Sequence, residues 1–126
     1  MVAFNSYRDL LVWQRGMQLV GKVYELTGKF PNNELYGIIN QMQRAAISIP
    51  ANIAEGHARS STKEFLHHIS ITRGSLAELE TFLTLAVQLK YCQQKETDEI
   101  LKICDEVSRM LSGLRNRLKE RIKRSY

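Results

Sequence analysis

The sequence predicts an all-α fold: an up-down-up-down antiparallel four-helix bundle, forming a single domain over residues 1–126. Three observations predict it. Apolar residues recur at steps of three and four along four long segments, the spacing of one buried stripe on a helix. No segment alternates apolar with polar residues or carries a hairpin turn, which excludes a sheet. Two prolines and seven glycines are all that punctuate the chain, leaving short connections, and long amphipathic helices so joined pack as antiparallel neighbours.

The first helix is expected to bury Leu10, Trp13, Met17, Val20 and Tyr24. Ser6, with Asp9 three residues later, resembles a capping box before it, and Gly28 and Pro31 punctuate its end. The second is expected to open after Pro31, capped by Asn32 or Asn33, and to continue through Leu35, Ile38, Met42, Ala45 and Ile49. Ser61 and Glu64 form an S-x-x-E capping box for the third. Its stripe is Phe65, Ile69, Thr72, Leu76, Leu79, Leu83 and Ala86. The last runs from near Thr97 through Ile100, Ile103, Val107, Met110, Leu114 and Leu118. Leu11, Ile39, Ile47, Leu66, Ile71 and Leu85 fall off these stripes, and several such groups together predict a second contact surface and self-association.

The stretch SIPANIAEG, Ser48 to Gly56, interrupts the pattern. Pro50 lacks a backbone donor and its ring crowds the carbonyl of Ala46, so the second helix is expected to bend near Pro50. Three residues beyond Ile49, Asn52 falls on the buried seam, where a lone asparagine can fix register and partner choice. Glu55 and Arg59 stand four apart in the better order for a helical ion pair. Gly56 either admits a close neighbour or ends the helix. The stretch is read as architecture rather than as a pocket.

The segments DLLVWQRGMQLV, VYELTGKFP, ELYGIINQMQRAAISIPANIAEGHARSSTKEFLHHI and GSLAELETFL resemble the four-helix-bundle family of 23S rRNA intervening-sequence proteins. The most specific part is residues 41–59, with Arg44, Ser48, Pro50, Asn52, Glu55, Gly56 and Arg59. The resemblance implies a small bacterial bundle, often assembled as a homopentamer, with no established enzymatic activity and no catalytic residues to carry over. Some such proteins are encoded within insertions of the large ribosomal RNA gene. A distant relative, the accessory protein of diversity-generating retroelements, works with a reverse transcriptase and nucleic acid. Gly16 stands where many members carry alanine.

Charge points the same way. The net charge of +5 resides in the C-terminal stretch: residues 1–114 hold twelve basic and twelve acidic groups. Residues 115–126 then hold Arg115, Arg117, Lys119, Arg121, Lys123 and Arg124 against Glu120. On a helix Arg117, Arg121 and Arg124 share one face, and Arg115, Lys119 and Lys123 another. Such a ridge suits phosphate contacts, which are salt-sensitive and indifferent to sequence. Tyr126 is the only aromatic residue of this tail, so base stacking has little support.

Other chemistries lack their constellations. Glu64 and His67 spell one Glu-x-x-His, but a di-iron bundle needs two such motifs and further glutamates. His57, His67 and His68 are read as solvated surface groups. Glu78 and Glu80 point to different helix faces rather than into one cleft. A helix-turn-helix at Gly56 would place Glu64 against phosphate. Cys92 and Cys104 have no CxxC spacing and read as small buried hydrophobes.

No cofactor, metal or enzymatic activity is expected. The chain shows neither a secretory signal nor an apolar run long enough for a membrane span, so a reducing cytoplasm is the expected location. The sequence therefore predicts a weak, nonspecific RNA- or DNA-binding accessory or scaffold protein that associates with itself and serves a nucleic-acid-processing protein. An oligomeric protein–protein interaction module is the alternative.

Overall fold

A computed structural model of the chain describes residues 6–124, apart from the side chains of Glu34 and Tyr36. The described residues are all-α, with four long helices and no strand. These are α1 (Leu11–Thr27), α2 (Asn40–Ala58), α3 (Thr62–Gln88) and α4 (Gln94–Arg124). They pack around one core, α1 against α2 and α4, and α3 against α2 and α4. Leu19 and Val23 of α1, Met42, Ile49 and Ile53 of α2, Leu79 and Leu83 of α3, and Val107 and Leu111 of α4 are completely buried in it.

The α3 and α4 stripes match the sequence pattern. Ile69, Thr72, Leu76, Leu79, Leu83 and Ala86 are buried on α3, with Phe65 half-buried at its start. Ser61 Oγ accepts from the Glu64 backbone N–H at 3.1 Å, so the expected cap is in place. On α4, Thr97, Ile100, Ile103, Val107 and Leu118 are buried, while Met110 and Leu114 pack partly against the core.

α1 departs from expectation. Its inward face is Val12, Gly16, Leu19, Val23 and Leu26. Met17 and Tyr24 are exposed, and Leu10, Trp13 and Val20 are half-buried on the flank. The helix carries apolar residues on two adjacent faces, and the one that holds Gly16 meets α2. A Cβ there would lie only 3.5 Å from both Ile49 Cγ2 and Pro50 Cβ. Upstream, Ser6 Oγ accepts from Arg8 N and caps a short 3₁₀ turn, Tyr7–Asp9, rather than α1 itself.

α2 also begins later than its pattern suggests. A 3₁₀ turn (Asn32–Glu34) and a π-type turn (Leu35–Ile39) precede it. Gly37 is non-helical at φ −103°, ψ −116°, and Leu35 is exposed rather than part of a stripe. Regular helix then runs unbroken through Pro50. Proline removes one donor, but its fixed φ is already helical; the non-helical backbone of this stretch lies at Gly37, ahead of α2.

Lys90, at φ 64°, ends α3 in the left-handed conformation usually given to glycine. Lys90 N donates to Val87 O at 3.0 Å and Tyr91 N to Ala86 O at 2.9 Å, the paired bonds of a Schellman motif.

Candidate nucleic-acid interface

The basic tail is helical to Arg124, the last described residue. Past Leu118, buried at 2% exposure, no described residue is buried. Arg117, Lys119, Arg121, Lys123 and Arg124 are exposed, and Arg115 is half-buried. Their position at the C-terminal end of α4 also complements the helix dipole. Tyr126 lies outside the described residues.

Arg115 differs from the rest of the ridge. Its Nε is buried and has no hydrogen-bond partner. The sequence groups Arg115 with Lys119 and Lys123 on one face; in the fold Arg115 and Lys119 line a groove with Leu66, Ile69, Ser70 and Arg73 of α3.

The Ser48–Arg59 stretch is knitted into the α2–α3 contact. Asn52 Nδ2 donates to Ser48 O and to Ser48 Oγ, both at 2.9 Å. With the amide nitrogen so engaged, Asn52 Oδ1 accepts from His68 Nδ1 at 3.0 Å. Ser48 Oγ lies 2.9 Å from Ser75 Oγ. A polar chain thus joins Ser48 and Asn52 of α2 to His68 and Ser75 of α3. Asn52 is half-buried rather than fully enclosed, and its amide satisfies the Ser48 carbonyl.

Gly56 is buried where α2 meets α3. A Cβ there would lie 2.7 Å from His68 Cβ and 2.9 Å from Phe65 Cδ1, so this glycine serves close approach; the helix continues to Ala58. Glu55 Oε1 pairs with Arg59 Nη2 at 2.8 Å on the exposed side, and that hydrogen bond chiefly holds the Glu55 carboxyl below its ordinary pKa. Arg44 is exposed.

The histidines are not equivalent. His67 is exposed and His57 half-buried, but His68, expected at the surface, is 8% exposed. It replaces solvent with Asn52, a partner that spacing on its own helix cannot reveal. Among the described residues no three His, Cys, Asp or Glu side chains are grouped as metal ligands. Cys92 is half-buried in the α3–α4 connection; Cys104 is buried in the core, and burial pushes its thiol up to about 12, away from the thiolate that reactive cysteines need.

No described helix is long and apolar enough to cross a membrane. The sequence model of the 23S rRNA-intervening sequence protein family matches residues 8–113. Among solved structures, a protein of unknown function from the S23 ribosomal protein family of Bacteroides thetaiotaomicron is similar in fold, with a TM-score of 0.75. It is 23% identical and the match covers 83% of this chain and 98% of that one. No curated protein matches the chain.

Proposed function

The chain belongs to the 23S rRNA-intervening sequence protein family, and from that premise we propose that it is a non-enzymatic accessory or scaffold protein that binds RNA or DNA weakly and without sequence preference. The observation that carries this reading is the C-terminal ridge of α4. Six cations and one acid occupy residues 115–126, and the described part past Leu118 stands clear of the core. Lys and Arg so placed contact phosphates, and binding then falls steeply with salt as counterions are released.

The reading includes an up-down-up-down course and assembly into a homopentamer in the cytoplasm. The course is supported by contact between the first and third connections: the Phe30 and Tyr91 rings lie 5.6 Å apart and Lys29 Nζ is 3.5 Å from Glu96 Oε2. Assembly is supported by the exposed apolar residues Leu11, Met17, Tyr24, Ile47 and Ile71. The same exposed groups favour a second reading, a homo-oligomeric interaction module whose partner is a protein.

A salt titration of labelled single-stranded RNA tests the first reading. Deleting the tail would remove Leu118 from the core, so the variant of choice is Arg117→Gln/Lys123→Gln/Arg124→Gln. The expected result is affinity falling steeply with salt in the natural protein. Each lost phosphate contact should flatten the logarithmic slope by about 0.7. Binding absent at low salt, or a slope unchanged in the variant, would overturn the role given to the ridge.

A further inference from the structure

We propose that Arg73 of α3 joins Arg115 and Lys119 of α4 in a phosphate site lying in the groove between the two helices. A phosphodiester of a bound strand is then gripped by cations from two helices, not by the C-terminal ridge alone. This rests on the nucleic-acid reading and extends it to a residue, Arg73, far from the tail in sequence.

The groove encloses about 340 Å³ and is bordered by Leu66, Ile69, Ser70, Arg73, Arg115 and Lys119. Ser70 and Arg73 are three apart on α3, and Arg115 and Lys119 four apart on α4, so each pair projects from one side of its helix. Arg73 Nη1 donates to Ser112 Oγ at 3.0 Å, which moors the guanidinium across the helix interface one turn before Arg115.

Several cations elsewhere in the bundle have carboxylate partners. Arg15 pairs with Glu106 at 2.7 Å, Lys22 with Glu99 at 3.2 Å and Arg109 with Asp105 at 2.7 Å. No acid borders this groove, and no ion pair among the described residues engages Arg73, Arg115 or Lys119. The buried Arg115 Nε–H lacks an acceptor as well, which is costly for a donor removed from water.

One chemistry answers the uncompensated charge. A phosphate oxygen accepts from guanidinium N–H groups in charge-assisted bonds, and its charge offsets the three cations. The Ser70 hydroxyl adds a neutral donor. Half-buried Leu66 gives the groove an apolar edge against which the face of a sugar can lie. A carboxylate would satisfy the same donors, but a single strand supplies phosphates at regular intervals and lets this groove and the outer ridge be occupied together.

The test uses the full chain in two arms. In the first, labelled RNA is titrated over a salt series with Arg73→Gln, Arg115→Gln and the outer-ridge triple variant, circular dichroism controlling for folding. Arg73→Gln is expected to weaken binding about tenfold at low salt, the scale of one charged hydrogen bond, and to reduce the salt slope by about 0.7. Arg73→Lys should restore part of the loss, because charge returns without the planar fork.

In the second arm, inorganic pyrophosphate is added to nitrogen-labelled natural protein, and the Arg115 Nε–H resonance should move. RNA binding by Arg73→Gln equal to that of the natural protein, with loss confined to the ridge variant, overturns the groove and leaves the ridge standing. An Arg115 resonance indifferent to pyrophosphate also overturns it. If the natural protein binds no RNA while pyrophosphate still moves that resonance, the groove stands as an anion site and the nucleic-acid reading falls.

Discussion

Gly16 and Gly56 both sit buried inside helices, yet their surroundings assign opposite outcomes to one substitution. At Gly16 a methyl group would make ordinary contact, 3.5 Å, with Ile49 and Pro50. Glycine within a helix costs up to about 1 kcal/mol relative to alanine, so Gly16→Ala should raise the denaturant midpoint; a lowered midpoint would show that the α1–α2 contact tolerates no methyl. At Gly56 the same methyl would sit 2.7 Å from His68 Cβ. That atom is fixed to the backbone and cannot yield without moving α3, and overpacking of this kind costs about 1–3 kcal/mol. Gly56→Ala should therefore lower the midpoint, with Asn52 and His68 drawn apart. The sequence marked Gly56 as a place of approach or termination; only the neighbouring helix distinguishes the two. His68 makes the same point, since its burial depends on Asn52, sixteen positions away.

Helices are fixed relative to one another by groups at their flanks as much as by their stripes. Arg15 of α1 grips Glu106 of α4 with two hydrogen bonds, Nε to Oε2 at 2.7 Å and Nη2 to Oε1 at 3.0 Å. The hydrogen bond from Arg15 holds the Glu106 carboxyl below its ordinary 4.5. A carboxylate whose pKa is lowered by folding contributes stability above its unfolded value and loses it as pH falls through the folded one. Glu106→Gln should thus destabilise the protein near neutrality, and the gap to the natural protein should close as pH drops below 4.5. Denaturation midpoints measured across that range check this; a gap independent of pH would mean that the pair does not couple the helices. Element existence was legible from periodicity, and the Ser61 cap of α3 could be read directly, because both depend on residues within a turn or so of one another. The start of α2 could not. Helical spacing continues through Leu35 and Ile38, and nothing local announces that Gly37 leaves the helical region.

At the scale of the whole molecule, the exposed apolar groups become the question. Leu11 is 63% exposed and Met17 48%, and with Tyr24, Ile47 and Ile71 they leave apolar surface on several helices. Exposed apolar patches on a bundle favour association, and light scattering should report a mass several times that of the 14.5 kDa chain. Met17→Glu should reduce that mass without loss of helicity, and a strictly monomeric natural protein would remove the pentamer from the proposal. The sequence placed Met17 and Tyr24 in the core, so this surface was only partly legible: Leu11, Ile47 and Ile71 were marked as lying off the stripes, whereas α1 offered two apolar faces of similar strength.

The sequence by itself determined that the chain is helical, where most of its helices lie, which faces of α3 and α4 turn inward, and that its excess charge gathers at the C-terminal end. Each of these follows from residues close together along the chain, whose spacing sets the face they share. The tertiary structure alone decided which face of α1 is buried, that Asn52 meets His68, and that Arg73 stands beside Arg115. Those outcomes depend on what a neighbouring helix presents, such as the hydroxyl at Ser112 or the imidazole at His68, and no periodicity within one helix encodes its neighbour.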